Sequence, residues 1–351
     1  DAADGTLGSW PRATGLADDV RRYGAWMREQ AKERIGHLYP DATIDKNTTA
    51  NTIAWIWARV VTCPNPACGI DMPLVRSWWL GKKRGKEAYV VPTVADDATK
   101  PGGRRVEYVI GHDKAKGPTA GNDGTVGRSG ARCVACEAAV PLAYIRAEGK
   151  AKRIGHQLIA VVAEGKRTRI YLAPDELQVA AATVPEPSNS PTQRMPDHSV
   201  SPAHTQTIKI YGFDRWADLF THRQLTALTT FTNLVPEARS QVLADAIARG
   251  MPTGARLADG GAGAEAYADA VATYLGIVVS RLTDYQSSIT TWASNPQMEI
   301  LRNVFARQAI PMTWDFAEGN PFGPSSGTLE IMVTAVSKAI DALPASVVAD
   351  A

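Results

Sequence analysis

The chain holds four cysteines, and they fall into two close pairs, Cys63-x4-Cys68 and Cys133-x2-Cys136. Thiolates are soft ligands, and four of them around one ion at a Zn–S distance of roughly 2.3 Å make a closed structural zinc site. Short spacings matter because one tight turn can then aim two sulfurs at the same point. Each pair lies in turn-forming sequence, Pro64-Asn65-Pro66 within the first and Ser129-Gly130 just before the second. The segments also echo each other: Pro73-Leu74 begins five residues after Cys68, and Pro141-Leu142 begins five after Cys136. Two copies of a knuckle followed by a strand describe a zinc ribbon, here with 64 intervening residues that must form an inserted excursion. The other readings are disulfides, redox dithiols or four unconnected buried thiols. No basic segment followed by an apolar run opens the chain, which argues against secretion and its disulfides and for the cytoplasm. A redox CxxC would need neither the second pair nor the repeated Pro-Leu. His112 and His156 are superfluous as ligands and read as ordinary polar residues.

A length of 351 residues suggests two or three domains, and 44% hydrophobic with 21% charged residues is ordinary for a globular protein. No run of about 18 apolar residues occurs, so no membrane partner is expected. The sequence starts at Asp1 in polar residues without an initiating Met, which fits a piece of something longer. Net charge is only +2, but residues 76–153 hold 16 Lys and Arg against 8 Asp and Glu, so the rest carries −6. Lys82, Lys83, Arg84 and Lys86 cluster in one polar turn beside Trp78 and Trp79, and Arg104 and Arg105 follow on the next connection. Cations that neutralise phosphates, with aromatics nearby, are the general recipe for nucleic-acid contact. The competing reading is a merely solvated tip over a Trp pair. Adjacent strand residues point to opposite faces, so one Trp should face inward and the other out.

The pattern predicts an α+β chain: a zinc-ribbon-like antiparallel β module flanked by helical segments. Residues 1–57 read as an N-terminal helical segment, with a helix over 19–37 capped by Asp18 or Asp19. Residues 58–183 read as the zinc-ribbon β domain with its basic hairpin. Within it, 75–80, 88–91, 105–110, 157–162 and 168–172 are strand candidates, 117–130 a mobile loop with five glycines, and 175–183 a short helix. Residues 184–205, with five prolines among polar residues, read as a linker. Residues 206–351 read as a helical segment, with helices starting after Thr221, continuing through Val242–Ile247, spanning Tyr267–Tyr285, and running over 329–343.

Catalytic patterns are sparse. There is no P-loop, no GxSxG and no HExxH. Gly260-Gly261-Ala262-Gly263 follows no strand, so it is a poor phosphate loop. Asn320-Pro321-Phe322 has part of an amino-methylating signature but lacks the second proline. Asp315 and Glu318 read as polar loop residues before they read as an acid–base pair. From the residues alone the chain is a zinc-bearing, polyanion-binding module with no catalytic residue.

Several runs carry a family resemblance. Val61-Thr62-Cys63-Pro64-Asn65-Pro66-Ala67-Cys68-Gly69 followed by Pro73-Leu74-Val75-Arg76-Ser77-Trp78-Trp79-Leu80 resembles the adenine-specific DNA methylases that contain a Zn-ribbon. So do Phe213-Asp214-Arg215-Trp216, Leu219-Phe220-Thr221, Arg223-Gln224-Leu225, Leu228-Thr229-Thr230-Phe231, Arg307-Gln308-Ala309-Ile310-Pro311-Met312 and Trp314-Asp315-Phe316-Ala317-Glu318. The likeness runs from about Gly15 to Leu343. It implies a class I, Rossmann-like methyltransferase that uses S-adenosylmethionine, of which this chain is an insert or central part. The family's Gly-rich cofactor motif precedes this region and its Asp-Pro-Pro-Tyr motif follows, and neither is in these 351 residues. The partners implied are double-stranded DNA and other proteins of a DNA-modification or phage-defence system. An enzyme that works on a base must take it out of the stack, which leaves gripping the duplex to a basic module such as this one. The other reading is a stand-alone zinc-ribbon nucleic-acid-binding or scaffolding protein without catalytic activity.

Overall fold

Thr52–Thr62 is an apolar run without alternation, TIAWIWARVVT, and in the computed structural model ten of its eleven residues are buried. A strand covered on both faces has no period-two pattern, which is why this stretch did not declare itself as a strand. It is the central strand of the molecule and takes in residues 52–57 of the expected N-terminal helical segment. The structure describes residues 12–195, 207–305, 310–323 and 325–344. Numbered in chain order, the strands are β1 (Ala42–Asp45), β2 (Thr48–Ala50), β3 (Thr52–Thr62), β4 (Asp71–Leu74), β5 (Trp79–Gly81), β6 (Ala88–Asp96), β7 (Arg104–Gly111), β8 (Gly130–Arg132), β9 (Ala139–Pro141), β10 (Gly155–Gly165), β11 (Thr168–Leu172), β12 (Thr291–Asn295), β13 (Met298–Arg302) and β14 (Asp315–Gly319). The helices are α1 (Thr14–Ile35), α2 (Leu142–Lys150), α3 (Glu176–Ala182), α4 (His222–Ala248), α5 (Ala264–Leu282) and α6 (Leu329–Asp341). The class is mixed α and β, and all strand pairings among the described residues are antiparallel.

The chain divides into two compact units that interleave in sequence: residues 38–225 with 284–326, and residues 1–37 with 226–283 and 327–351. In the first, the main sheet runs β11-β10-β3-β14. One edge of β3 pairs along its length with β10, while the other is shared end to end by β14 (Ala54–Ala58) and β4 (Arg59–Thr62). A second sheet, β5-β6-β7, is built on a long ribbon running from Tyr89↔Gly111 to Asp96↔Arg104. The stretch expected as a strand over 75–80 is broken at Val75–Trp78. There Asp123 accepts from Trp78 N at 2.8 Å and from Ser77 Oγ at 3.0 Å, and Thr125 Oγ1 accepts from Val75 N at 2.9 Å. The glycine-rich segment expected to be mobile is therefore tied down, by side chain–backbone bonds that carry no periodicity.

The second unit is helical. The buried stripe Val20, Tyr23, Met27, Ala31 and Ile35 of α1 faces α6, and a Cβ on Gly24 would lie 2.6 Å from Val333 Cγ2. Neither Asp18 nor Asp19 caps α1, which begins a turn earlier with Ala13 at its N-cap. Instead Asp18 pairs with Arg21, and Asp19 accepts from the Tyr267 hydroxyl. Thr221 does cap α4, as expected: Gln224 N donates to its Oγ1 at 3.1 Å and Thr221 N donates back to Gln224 Oε1 at 2.9 Å. The segment beyond 206 is not purely helical, since it supplies β12, β13 and β14. Of the expected linker, residues 196–205 lie outside the described residues, while Met195 N donates to Asp214 O at 2.8 Å. Ala306–Ala309 also lie outside them. No described helix is long and apolar enough to cross a membrane.

Candidate metal centre

The first cysteine pair sits on the turn between β3 and β4. Cys63 N donates to Ile70 O at 2.8 Å, and Asn65 O accepts from Cys68 N at 2.8 Å and Gly69 N at 3.1 Å. The second pair sits on the turn between β8 and β9, where Cys133 N donates to Ala138 O at 3.0 Å and Glu137 N to Cys133 O at 3.0 Å. The two turns share a plan: the leading cysteine donates to the residue two past the trailing one. The residue directly after the trailing cysteine is left-handed in both, Gly69 at φ 58° and Glu137 at φ 60°. Glycine serves that conformation without cost, and Glu137 adopts it with a Cβ. The repeated Pro-Leu ends differently in the two copies. Pro73-Leu74 closes strand β4, whereas Pro141 ends β9 and Leu142 starts helix α2, so the second copy is followed by a helix and not by a strand.

All four Sγ atoms lie within 4.8 Å of one another. The short approaches join one turn to the other, Cys63 to Cys136 at 3.7 Å and Cys68 to Cys133 at 3.9 Å. Ligands at about 2.3 Å from a tetrahedral ion stand about 3.8 Å apart, and a disulfide would need about 2.05 Å. The cysteines are free thiols, three buried and Cys136 partly exposed. This arrangement could hold a metal ion such as zinc. Burial pushes the Cys63 and Cys133 thiols up, while the backbone N–H of Ala138 beside Cys136 brings that thiol down to about 7. Asn65 Nδ2 points at Cys136 Sγ from 3.7 Å. The histidines stand apart from the cluster: His112 Nδ1 meets Glu87 O at 3.0 Å, and His156 packs against Trp57.

The turn joining β6 to β7 lies on the first cysteine turn. A Cβ on Gly102, at φ +71°, would fall 2.0 Å from Cys68 O, so that backbone approach requires glycine. This contact had no signal in the sequence beyond a Gly-Gly pair.

The same ribbon separates the basic residues into two places. Lys82, Lys83, Arg84 and Lys86 are exposed on the turn between β5 and β6, with Lys82 Nζ 5.5 Å from the Trp79 ring centroid. Trp78, buried, lies in the break before β5, so strand alternation does not set the pair; Trp79 is half-buried, its Nε1 donating to Pro118 O at 3.2 Å and its ring meeting Tyr89. Arg104 and Arg105 stand at the other end of β6 and β7, roughly 25 Å away by strand rise, so the six cations do not form one patch. Arg105 is also engaged, with Asp97 at 3.1 Å and Glu107 at 2.5 Å. No carboxylate among the described residues forms an ion pair with the four cations of the turn.

Neither acidic candidate makes an acid–base pair. Alternation along β14 sends Asp315 and Glu318 to opposite faces. Asp315 Oδ1 accepts from Arg76 N at 2.7 Å, and Glu318 pairs with Arg223 at 2.9 Å. Asn320 is structural too, its Nδ2 donating to Thr52 O and its Oδ1 accepting from Phe322 N, both at 2.9 Å. No family model, no curated protein and no solved structure matches this chain.

Proposed function

We propose that this chain is the zinc-ribbon and helical central region of a cytoplasmic adenine-specific DNA methyltransferase, and that its part is to hold double-stranded DNA. Zinc on Cys63, Cys68, Cys133 and Cys136 clamps the two ends of the 69–132 excursion together, which fixes the ribbon and the cationic turn it carries. Four thiolates leave no open coordination position, so the metal is structural. The observation that carries the DNA reading is the turn Lys82–Lys86, four exposed cations with no ion-pair partner among the described residues. Methyl transfer from S-adenosylmethionine is assigned to no residue here and rests on the family resemblance.

The test is charge reversal of Lys82, Lys83 and Arg84 together, with duplex binding followed against salt. Each phosphate contact contributes about 0.9 to the slope of log K against log salt. Loss of three contacts should flatten the slope by about 2.7 and weaken binding at low salt far more than at high salt. An unchanged affinity and slope in a folded, metal-loaded variant would refute the reading.

A further inference from the structure

The unit built on β3 contains an open cavity of about 750 Å³ that belongs neither to the sulfur cluster nor to the basic turn. Strand register makes its floor. Trp57 stands opposite Leu158, and Arg59 opposite His156, so these side chains share one face of the β3–β10 pair, but the Arg59 guanidinium lies over Phe213 and Phe316 and does not line the cavity. Trp57 and His156 meet edge to face with centroids 5.1 Å apart, and Phe316 stacks behind Trp57 at 6.3 Å and 12°. Tyr108 and Phe220 wall the cavity, and the exposed Val109 and Val179 stand on it as well.

Most polar groups on these walls are engaged: Glu107 with Arg105, Thr183 with Val179 O, Thr221 with Glu318 and His222 with Val184 O. Trp57 is 5% exposed, and its Nε1 has no hydrogen-bond partner among the described residues. His156 makes ring contacts but no hydrogen bond among them. Gln157, between His156 and Leu158 on β10, turns to the other face, where its Oε1 accepts from the Tyr108 hydroxyl at 2.8 Å. The charges around His156 are Arg59 across the strand pair, Glu318 on β14, and His222 and Glu107 on the cavity wall. Surrounding protein and then Arg59 lower the His156 pKa, which keeps the imidazole neutral. No Lys or Arg lines the cavity, so a phosphate or carboxylate would find no counter-charge.

We propose that this cavity binds a neutral, planar nitrogen heteroaromatic of at least bicyclic size, packed against the exposed His156 ring and the Phe220 wall. Flat aromatic walls select a ring over a saturated group, because offset and edge-to-face ring contacts add to area burial. The neutral imidazole of His156, exposed and without a hydrogen-bond partner among the described residues, selects ring nitrogens over a plain hydrocarbon. The volume lies in the range of pockets that enclose small ligands. This inference stands apart from the DNA reading and uses none of its residues.

Titration of the metal-loaded chain with purine and with benzimidazole, followed by calorimetry, is the test. Cyclohexylmethanol serves as the saturated comparator and adenosine monophosphate as the anionic one. The expected result is saturable binding of both heteroaromatics with dissociation constants below about 1 mM. The saturated and the anionic comparators should bind at least tenfold more weakly. His156→Ala should lower heteroaromatic affinity about tenfold. Val109→Trp at the exposed mouth should block binding without touching the floor. No saturable binding by either heteroaromatic, equal binding of cyclohexylmethanol, or unchanged affinity in both folded His156→Ala and Val109→Trp proteins would overturn the proposal.

Discussion

Arg223 and Glu318 are 0% and 1% exposed in their side chains and meet at 2.9 Å between Nε and Oε1. The guanidinium lies 4.1 Å from the Trp55 ring centroid and 5.1 Å from that of Tyr39, and its Nη1 donates to Leu38 O at 2.9 Å. Glu318 Oε1 also accepts from Thr221 Oγ1 at 2.9 Å. Arg223 Nη2 and Glu318 Oε2 have no partner among the described residues. The pair is therefore desolvated without being fully satisfied. Removing one member should cost about 3–5 kcal/mol, because the survivor is a buried charge with no counter-ion. Replacing both with apolar side chains should cost far less than the sum, giving a coupling energy of several kcal/mol. Arg223→Met, Glu318→Leu and the double variant make the cycle. Urea unfolding followed by tryptophan fluorescence is the assay, with Trp55 in direct contact with the guanidinium. The single variants should lower the midpoint by roughly 1–2 M, and the double variant should recover most of that. Single variants that each cost under about 1 kcal/mol, or a double variant equal to their sum, would refute the claim that this pair is held as a desolvated unit.

Three further outcomes follow from geometry already described. Cys68→Ser should take bound zinc well below one equivalent by metal analysis and lower the melting temperature of the β3-centred unit, because one ligand of the closed site is lost. Gly102→Ala forces a Cβ to 2.0 Å from Cys68 O and should speed zinc loss to a chelator. Gly103→Ala, at φ +66° with open space around it, should cost strain alone and leave the release rate unchanged. Burial raises the Asp315 carboxyl from 3.8 to about 7. Because the folded pKa is the higher one, stability should decline as pH rises from about 4 to about 7. Asp315→Asn keeps an acceptor for Arg76 N, and at pH 8 it should stabilise the protein by about 2–4 kcal/mol while flattening the pH profile of urea midpoints.

How much of this could be read from the sequence follows from how each feature is made. Turns are local, and so the pairing of Cys63 with Cys68 and of Cys133 with Cys136 was legible from spacing. Helices α5 and α6 were legible because their buried stripes repeat every three to four residues. The cap on α4 was legible because Thr221 stands just ahead of the apolar face Leu225, Leu228, Phe231. Strand β3 was not, because burial on both faces erases the alternation that marks a strand. Its neighbours β10 and β14 come from about 100 and about 260 residues downstream. No local pattern predicts that register.

The two candidate sites divide along the same line. Each half of the sulfur cluster is a turn, and the sequence supplies it. That the halves meet depends on the excursion between them, which returns its second turn to the first and rests Gly102 on Cys68. The aromatic cavity has no local half at all. Trp57, Tyr108, His156 and Phe220 come from four separate stretches, and a slip of one residue between β3 and β10 would turn Trp57 and His156 to opposite faces. Spacing can therefore reveal a metal centre, whereas a cavity built by register stays hidden until the strands are paired. For the same reason, variants that shift the β3–β10 register should abolish the cavity while leaving each cysteine turn able to form.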